Sequence, residues 1–246
     1  MKNLSVLNTR PSLQAHNLTR LIEQADGRVF HLPIFDIQPT VFEPVNLNNF
    51  DIIIFQSSNA VCHFFHQQKK QKIKSMTAKI IAIGSATKKA LNIAGFNQVL
   101  LPDHFSSEGI LAMPLLQSIF EKSILIIYGE NSKSLLTDIL TERGAKTTTL
   151  SCYQRIPLLH DMKIIFPKLV RSNITVIIST SSDSFFYLIR LFEAPLHRAW
   201  ILNKTLCVIN EKMKVQAEKI GFKSVIQADN ATDEAIVKMV CTAYNK

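Results

Sequence analysis

A single tryptophan, seven glycines and four cysteines in 246 residues remove several chemistries from consideration. Cys62, Cys152, Cys207 and Cys241 are far apart and form no C-x-x-C. Neither a zinc site nor a disulfide framework is therefore expected, and a reducing cytoplasm is the expected compartment. No apolar run approaches the roughly 18 residues of a membrane helix, and "MKNLSVLNTRPS" has neither the apolar stretch nor the cleavage pattern of a signal peptide. No membrane partner is expected. G-x-S-x-G, G-x-x-x-x-G-K-[ST] and G-x-G-x-x-G are all missing, so no nucleotide cofactor or hydrolase elbow is signalled. The seven histidines form no H-E-x-x-H; His63 and His66 in "VCHFFHQQ" read as packing on a helix.

Acidic residues are also scarce. Nineteen stand against 28 Lys and Arg, a formal net charge of +9. That balance favours anionic partners. The basic run "KKQKIK" at 69–74 reads as a solvated helix end or loop. With one Trp and no aromatic–basic interleaving to stack bases, no nucleic-acid partner is expected.

What the chain does have is repetition. "RLIEQADGRVFHLPI", "KALNIAGFNQVLL", "DILTERGAKTTTL" and "VQAEKIGFKSVIQ" each run from a helical pattern through Gly27, Gly95, Gly144 or Gly221 into a short β-prone run. Glycine past a helix end takes the left-handed conformation without a Cβ clash. Leu18, Leu21, Ile22 and Ala25 make one apolar helix face. The runs "LSVLN", "DIIIF", "KIIAI", "SILIIY", "TVIIS" and "TLCVI" alternate with the helices, which predicts βαβ units and parallel sheets buried on both faces. Setting Gly95–Phe96 on Gly221–Phe222 places Ile83 on Ile209, Val99 on Val225 and Glu108 on Glu234. About ten strands in two related sets follow. One set lies within residues 52–152; the other comes from both chain ends, before 38 and after 174. The inserted set requires two crossings, for which 31–39 and 148–157 are the candidates.

In open parallel sheets ligands bind beyond the carboxyl ends of strands. Polar clusters stand there: Thr9–Arg10; Ser57, Ser58 and Asn59 in "IIIFQSSNAV"; Gly84, Ser85 and Thr87; Tyr128, Gly129 and Glu130; Ser179 to Ser182 in "VIISTSSDSFF"; and Asn210. If the two domains face one another, these ends line one cleft. Helix N-termini and N–H groups there suit carboxylates. Helix capping alone also explains any one Ser, Thr or Asn after a strand. Tyr153 lies in the second crossing, where it is either a phenol that reaches ligand or a packed tyrosine.

The order and spacing of "LNTRP", "ADGRVFHLPIFDIQP", "IIIFQSSNAV", "IIAIGSATKKALNIAGF", "SSEGILAMPLL", "YGENSKSLLTDILTERGA", "YQRIP", "VIISTSSDSF" and "ATDEAIVKMV" resemble the uroporphyrinogen-III synthase family over almost the whole chain. The resemblance implies an α/β fold with two similar flavodoxin-like domains, each a parallel five-stranded sheet, joined by a two-stranded crossover. Residues 1–38 with 156–246 would form the first domain and 39–155 the inserted second. It implies a cytoplasmic cyclising lyase without metal or organic cofactor. The substrate would be hydroxymethylbilane, a linear tetrapyrrole with eight carboxylates. Loss of its hydroxyl leaves an azafulvene cation, ring D attacks through its substituted carbon, and a spiro intermediate fragments and recloses with ring D inverted. Such a reactive substrate asks the protein for positioning rather than a strong nucleophile. A monomer is expected, with hydroxymethylbilane synthase the candidate for substrate hand-over.

By the resemblance, Tyr153 assists departure of the hydroxyl. Arg10, Ser57, Ser58, Asn59, Gly84, Ser85, Thr87, Gly129, Ser179, Ser181, Ser182 and Asn210 are the candidate substrate-binding positions. The chain departs from the family after 205–209. "INEKMKV" replaces a Gly-Pro-x-Thr-like turn, with Asn210 for Gly and Lys212 or Met213 at the Thr position. That departure motivates an alternative, a non-catalytic anion- or tetrapyrrole-binding protein on the same fold.

Overall fold

The structure is a computed structural model that describes residues 4–68, 77–130 and 135–244. The basic run at 69–74 lies outside the described residues. The chain divides into two compact units, Met1–Asp36 with Ile156–Lys246, and Ile37–Arg155.

In chain order the described elements are β1 (Ser5–Asn8), α1 (Ser12–Gln24), β2 (Arg28–His31), β3 (Phe35–Pro39), β4 (Ile52–Phe55), α2 (Ser58–Gln67), β5 (Lys79–Ala82), α3 (Ser85–Ile93) and β6 (Val99–Leu100). There follow α4 (Ser107–Ala112), β7 (Ser123–Gly129), α5 (Leu135–Glu142), β8 (Lys146–Pro157), α6 (Met162–Arg171) and β9 (Val176–Ile178). The chain closes with α7 (Ser182–Leu191), α8 (Pro195–Leu202), β10 (Thr205–Val208), α9 (Glu211–Ile220), β11 (Ser224–Gln227) and α10 (Asp233–Tyr244). It passes from one unit to the other within β3 and again within β8.

Continuous apolar strands buried on both faces explain the sheets. On β4, Ile53 and Phe55 pack with Val61, Phe64, Leu91 and Phe96, while Ile52 and Ile54 pack with Ile110, Leu116, Leu136 and Leu140. Each such side chain contributes about 1.5–3 kcal/mol when fully buried. In the other unit Val6, Val176, Ile178 and Cys207 meet Leu18 and Ile22 of α1 and Ile236 and Val240 of α10.

The first sheet has five strands in the order β11-β10-β9-β1-β2, every neighbouring pair parallel. Counted along the chain, that order is 2-1-3-4-5. The second sheet has six strands, β3-β8-β7-β4-β5-β6, with β8 through β6 parallel. Five strands were expected there; β3, expected to pair with the second crossing in a two-stranded crossover, does lie beside β8 and so extends that sheet to six. Without β3 the order is 3-2-1-4-5, so related residue patterns produce two different strand orders.

Gly95, Gly144 and Gly221 take positive φ of 103°, 84° and 105° past their helices. Gly27 does not. Asp26 holds the left-handed turn at φ 61° instead, a conformation that short polar side chains tolerate.

Candidate functional site

Each sheet has a point where the chain changes direction of travel across it. It lies between β1 and β9 in the first sheet and between β4 and β7 in the second. Ligand crevices of open α/β sheets form beyond the carboxyl ends at such points. Both expected polar clusters lie there.

In the unit of residues 37–155, the strand-end chemistry centres on Tyr153. Strands β7 and β8 stay in register up to Tyr128 opposite Ser151, then Gly129 pairs with Tyr153. The bulge leaves Cys152 without an opposite residue on β7. Bulges re-aim side chains at functional places, and here two consecutive residues point inward: Cys152 is fully buried and Tyr153 is 2% exposed. Gly129 makes room for the phenol. A Cβ there would fall 2.3 Å from Cζ and 2.5 and 2.7 Å from the two Cε atoms. The His63 ring of α2 also stacks on the phenol, centroids 5.7 Å apart. Burial, and then neighbouring His66, hold His63 below the usual histidine value.

Among the described residues, two groups engage the Tyr153 hydroxyl. Ser57 Oγ lies 3.0 Å from Oη, and Arg155 Nη2 donates to Oη at 3.3 Å. Ser57 is also the N-cap of α2, accepting the Ala60 N–H at 3.0 Å. Ser58 and Asn59 are half-buried in the first turn of that helix. Gly84 is the extended N-cap of α3, with the Phe105 ring 3.3 Å from its would-be Cβ. Ser85 is exposed, and Thr87 is buried one turn in.

In the other unit the polar groups serve one another. Thr9 Oγ1 donates to Ile178 O at 2.7 Å, and Asn8 accepts the Arg10 N–H. Arg10 is buried and ion-paired with Asp233. Its Nη2 donates to Ala231 O at 3.1 Å and its Nε to Thr180 Oγ1 at 3.4 Å. The cation expected to meet an anionic substrate thus has an internal counter-ion. Ser181 caps α7 by accepting the Ser184 N–H, and it donates to Ser184 Oγ at 2.9 Å. Ser182 is exposed. Ser179 is fully buried, and its hydroxyl has no hydrogen-bond partner among the described residues. Asn210 caps α9 through the Met213 N–H at 2.9 Å. Ser57, Ser181 and Asn210 cap their helices through their side chains, and of these three only Ser57 also touches the candidate acid.

The sequence reading missed Arg155, His63 and Asp233 as neighbours of candidate residues. Arg155 had a signal, since residues two apart on a strand share a face. Among the described residues, no three His, Cys, Asp or Glu side chains converge as a metal set, and no helix is long and apolar enough to cross a membrane.

The family profile of "Uroporphyrinogen-III synthase HemD" matches residues 16–238. The chain belongs to the uroporphyrinogen-III synthase family. The uroporphyrinogen-III synthase of Escherichia coli is 28% identical over 243 residues, covering 96% of this chain and 99% of its own. That of Proteus mirabilis is 29% identical over 161 residues, 62% of this chain and 81% of its own. Among solved structures, a mutant uroporphyrinogen III synthase from Thermus thermophilus superposes with TM-score 0.65 at 15% identity, covering 98% of this chain and 99% of that one. The enzyme from Helicobacter pylori gives 0.62 at 18% identity with the same coverage. At such identities the likeness concerns the fold, which is α/β with predominantly parallel sheets in this family member.

Proposed function

We infer that this protein cyclises hydroxymethylbilane to uroporphyrinogen III, with inversion of ring D and loss of water, in haem biosynthesis. It is a lyase, and membership of the uroporphyrinogen-III synthase family over residues 16–238 carries the reading. The geometry around Tyr153 supplies a part for it. A phenol held by Gly129, His63, Ser57 and Arg155 can donate a proton to a departing hydroxyl. General-acid help of this kind is typically worth about 10²–10⁴-fold.

The substrate's carboxylates need donors, and the helix N-termini beyond the strands supply N–H groups and a favourable dipole. We read Ser58, Asn59, Ser85, Thr87, Ser179, Ser182 and Asn210 as the binding candidates. Ser57 and Gly129 act through Tyr153, and Arg10 acts through its placement of the strand end. We read the two units as two flavodoxin-like domains, residues 1–38 with 156–246 and residues 39–155. The 2-1-3-4-5 order of the first sheet favours that description for the first domain alone; the second sheet, 3-2-1-4-5 with β3 added at its edge, departs from it and follows the other doubly wound order. We also propose a monomer that receives its substrate from hydroxymethylbilane synthase; the formal net charge of +9 suits an octa-anionic substrate.

Isomer analysis in an assay coupled to hydroxymethylbilane synthase tests the function. The type III isomer is expected at a rate proportional to added protein. Type I alone, at the spontaneous rate, overturns the reading; binding of the tetrapyrrole without turnover would identify the non-catalytic alternative.

A further inference from the structure

We propose that Arg155 and Ser57 are positioning residues that orient one hydroxyl proton of the Tyr153–Ser57 pair toward the departing hydroxyl of the substrate. The inference rests on the reading of Tyr153 as the proton donor. It concerns what makes a buried phenol a directed donor.

A phenol has one proton and accepts through its oxygen; a serine hydroxyl has one proton and two lone pairs. The pair therefore has two protons. One is consumed in the 3.0 Å bond between Ser57 Oγ and Tyr153 Oη. Protein donors already occupy both oxygens, since Ala60 N–H donates to Ser57 Oγ at 3.0 Å and Arg155 Nη2 donates to Tyr153 Oη at 3.3 Å. What remains to offer a ligand is one proton. If Ser57 donates to Tyr153, that proton is the phenol's own. The guanidinium favours this arrangement: a cation beside Oη turns the O–H dipole away from itself. Its carbon lies 5.5 Å from the ring centroid, so the charge also sits against the ring.

The ring cannot shift to other partners. Gly129 and His63 both pack against it, and the bulge fixes its backbone opposite Gly129. The cap fixes Ser57 as well, because its hydroxyl cannot rotate away without losing the Ala60 N–H. A preorganised dipole of this kind needs no rearrangement at the moment of reaction.

The proton balance closes. The Tyr153 proton passes to the substrate hydroxyl, the carbon–oxygen bond breaks with its electron pair on oxygen, and water leaves. Negative charge then develops on Oη, where the Arg155 guanidinium meets it. Overall the substrate loses one hydrogen and one hydroxyl. The proton that ring closure releases from the substrate therefore restores the phenol, and no further reactant is needed.

The test is a double-mutant cycle with kcat and KM measured separately. Arg155→Gln should lower kcat about tenfold, a fraction of full general-acid help, with KM within about twofold. Arg155→Lys should recover part of that loss, because it returns a donor and a charge without the planar fork. In a Tyr153→Phe background, Arg155→Gln should cost nothing further, since it acts through a hydroxyl that is no longer there. Thermal melting of every variant accompanies the kinetics. Multiplying losses in the double variant would overturn the proposal. So would a raised KM at unchanged kcat, which would make Arg155 a carboxylate contact. If the unaltered protein yields only the type I isomer, the functional reading itself fails; if it yields type III and Arg155→Gln matches it, only the positioning role fails.

Discussion

The two strand-end clusters begin alike and end differently. "IIIFQSSNAV" and "VIISTSSDSFF" each finish a buried strand and cap the next helix with an extended serine, Ser57 at φ −166° and Ser181 at φ −160°. Each serine accepts the N–H three residues on. Ser181 then gives its proton to Ser184, whereas Ser57 lies against a phenol. The arginines diverge in the same way: Arg10 is held by Asp233, and Arg155 donates to Tyr153. Even the helix ends differ. The first turns of α2 and α3 carry no acid, while those of α7 and α9 carry Asp183 and Glu211. Local sequence sets the cap; the residue brought opposite it by the fold decides whether the hydroxyl is used up internally or left for chemistry.

Gly129→Ala should break the difference most severely. The added methyl overlaps the Tyr153 ring at three atoms, so the ring must leave its place. Turnover should fall about hundredfold or more, at least as far as for loss of the phenol. Stability should fall by about 1–3 kcal/mol from overpacking. Stopped-assay turnover beside thermal melting reads both. Turnover equal to the unaltered protein would mean the packed position of the ring does not matter.

Tyr153→Phe removes only the hydroxyl and should lower kcat by about hundredfold, the low end of general-acid contributions, because water partly replaces the phenol. KM and the type III product should persist. An unchanged kcat would make Tyr153 a packed residue of the bulge. The matching disruption in the other unit is Asp233→Ala. It strips the nearly buried Arg10 of its counter-ion, with side chains only 11% and 15% exposed, and should cost about 3 kcal/mol of unfolding free energy. A denaturation midpoint that does not move would show that water satisfies Arg10.

How much of this the sequence reveals depends on distance along the chain. Apolar runs such as Ile52–Phe55 and glycines such as Gly95 and Gly221 make the β–α alternation legible, because burial on both faces and left-handed helix ends are local demands. The extension of the second sheet to six strands was not legible, since pairing depends on a strand more than a hundred residues away. The bulge was hidden too. One extra residue resets inward–outward alternation, and nothing in "LSCYQRIP" marks where. The Arg10–Asp233 pair spans 223 residues of sequence, so Arg10 read as a substrate-binding cation. Tyr153 came to attention through its crossing position and the family resemblance, and His63 passed as helix packing because a ring neighbour across the sheet leaves no periodic trace.

The two capping serines offer a narrower comparison. Ser57→Ala and Ser181→Ala each remove a cap and should each cost about 1 kcal/mol of stability. Only Ser57→Ala should also lower kcat, by about tenfold, a fraction of the general-acid effect. Glycine at either position should recover most of the stability, since it caps nearly as well, yet Ser57→Gly should stay slow. Equal kinetic losses at both serines would mean that both hydroxyls meet substrate and that the asymmetry between the units is only structural.

The smallest expected effect is at the cysteines, where the two units should behave alike. Cys152 of β8 and Cys207 of β10 are fully buried, and burial pushes both thiols up from 9.0 to about 12. The thiolate is the reactive form, so neither should react with iodoacetamide at pH 8 in the folded protein. Cys62 is exposed on α2 and should react, with kcat changed less than about twofold because modification at an exposed site adds no core strain. The sign of the pH effect follows from the raised values. Both thiols stabilise the fold fully below pH 9.0, and that contribution declines as pH climbs from 9.0 toward about 12. Mass spectrometry of peptides after labelling reads all three sites. Early labelling of Cys152 with Cys207 still protected would locate an opening in β8 beside Tyr153. That would trace the difference between the units to local stability rather than to the partners of Ser57 and Arg155.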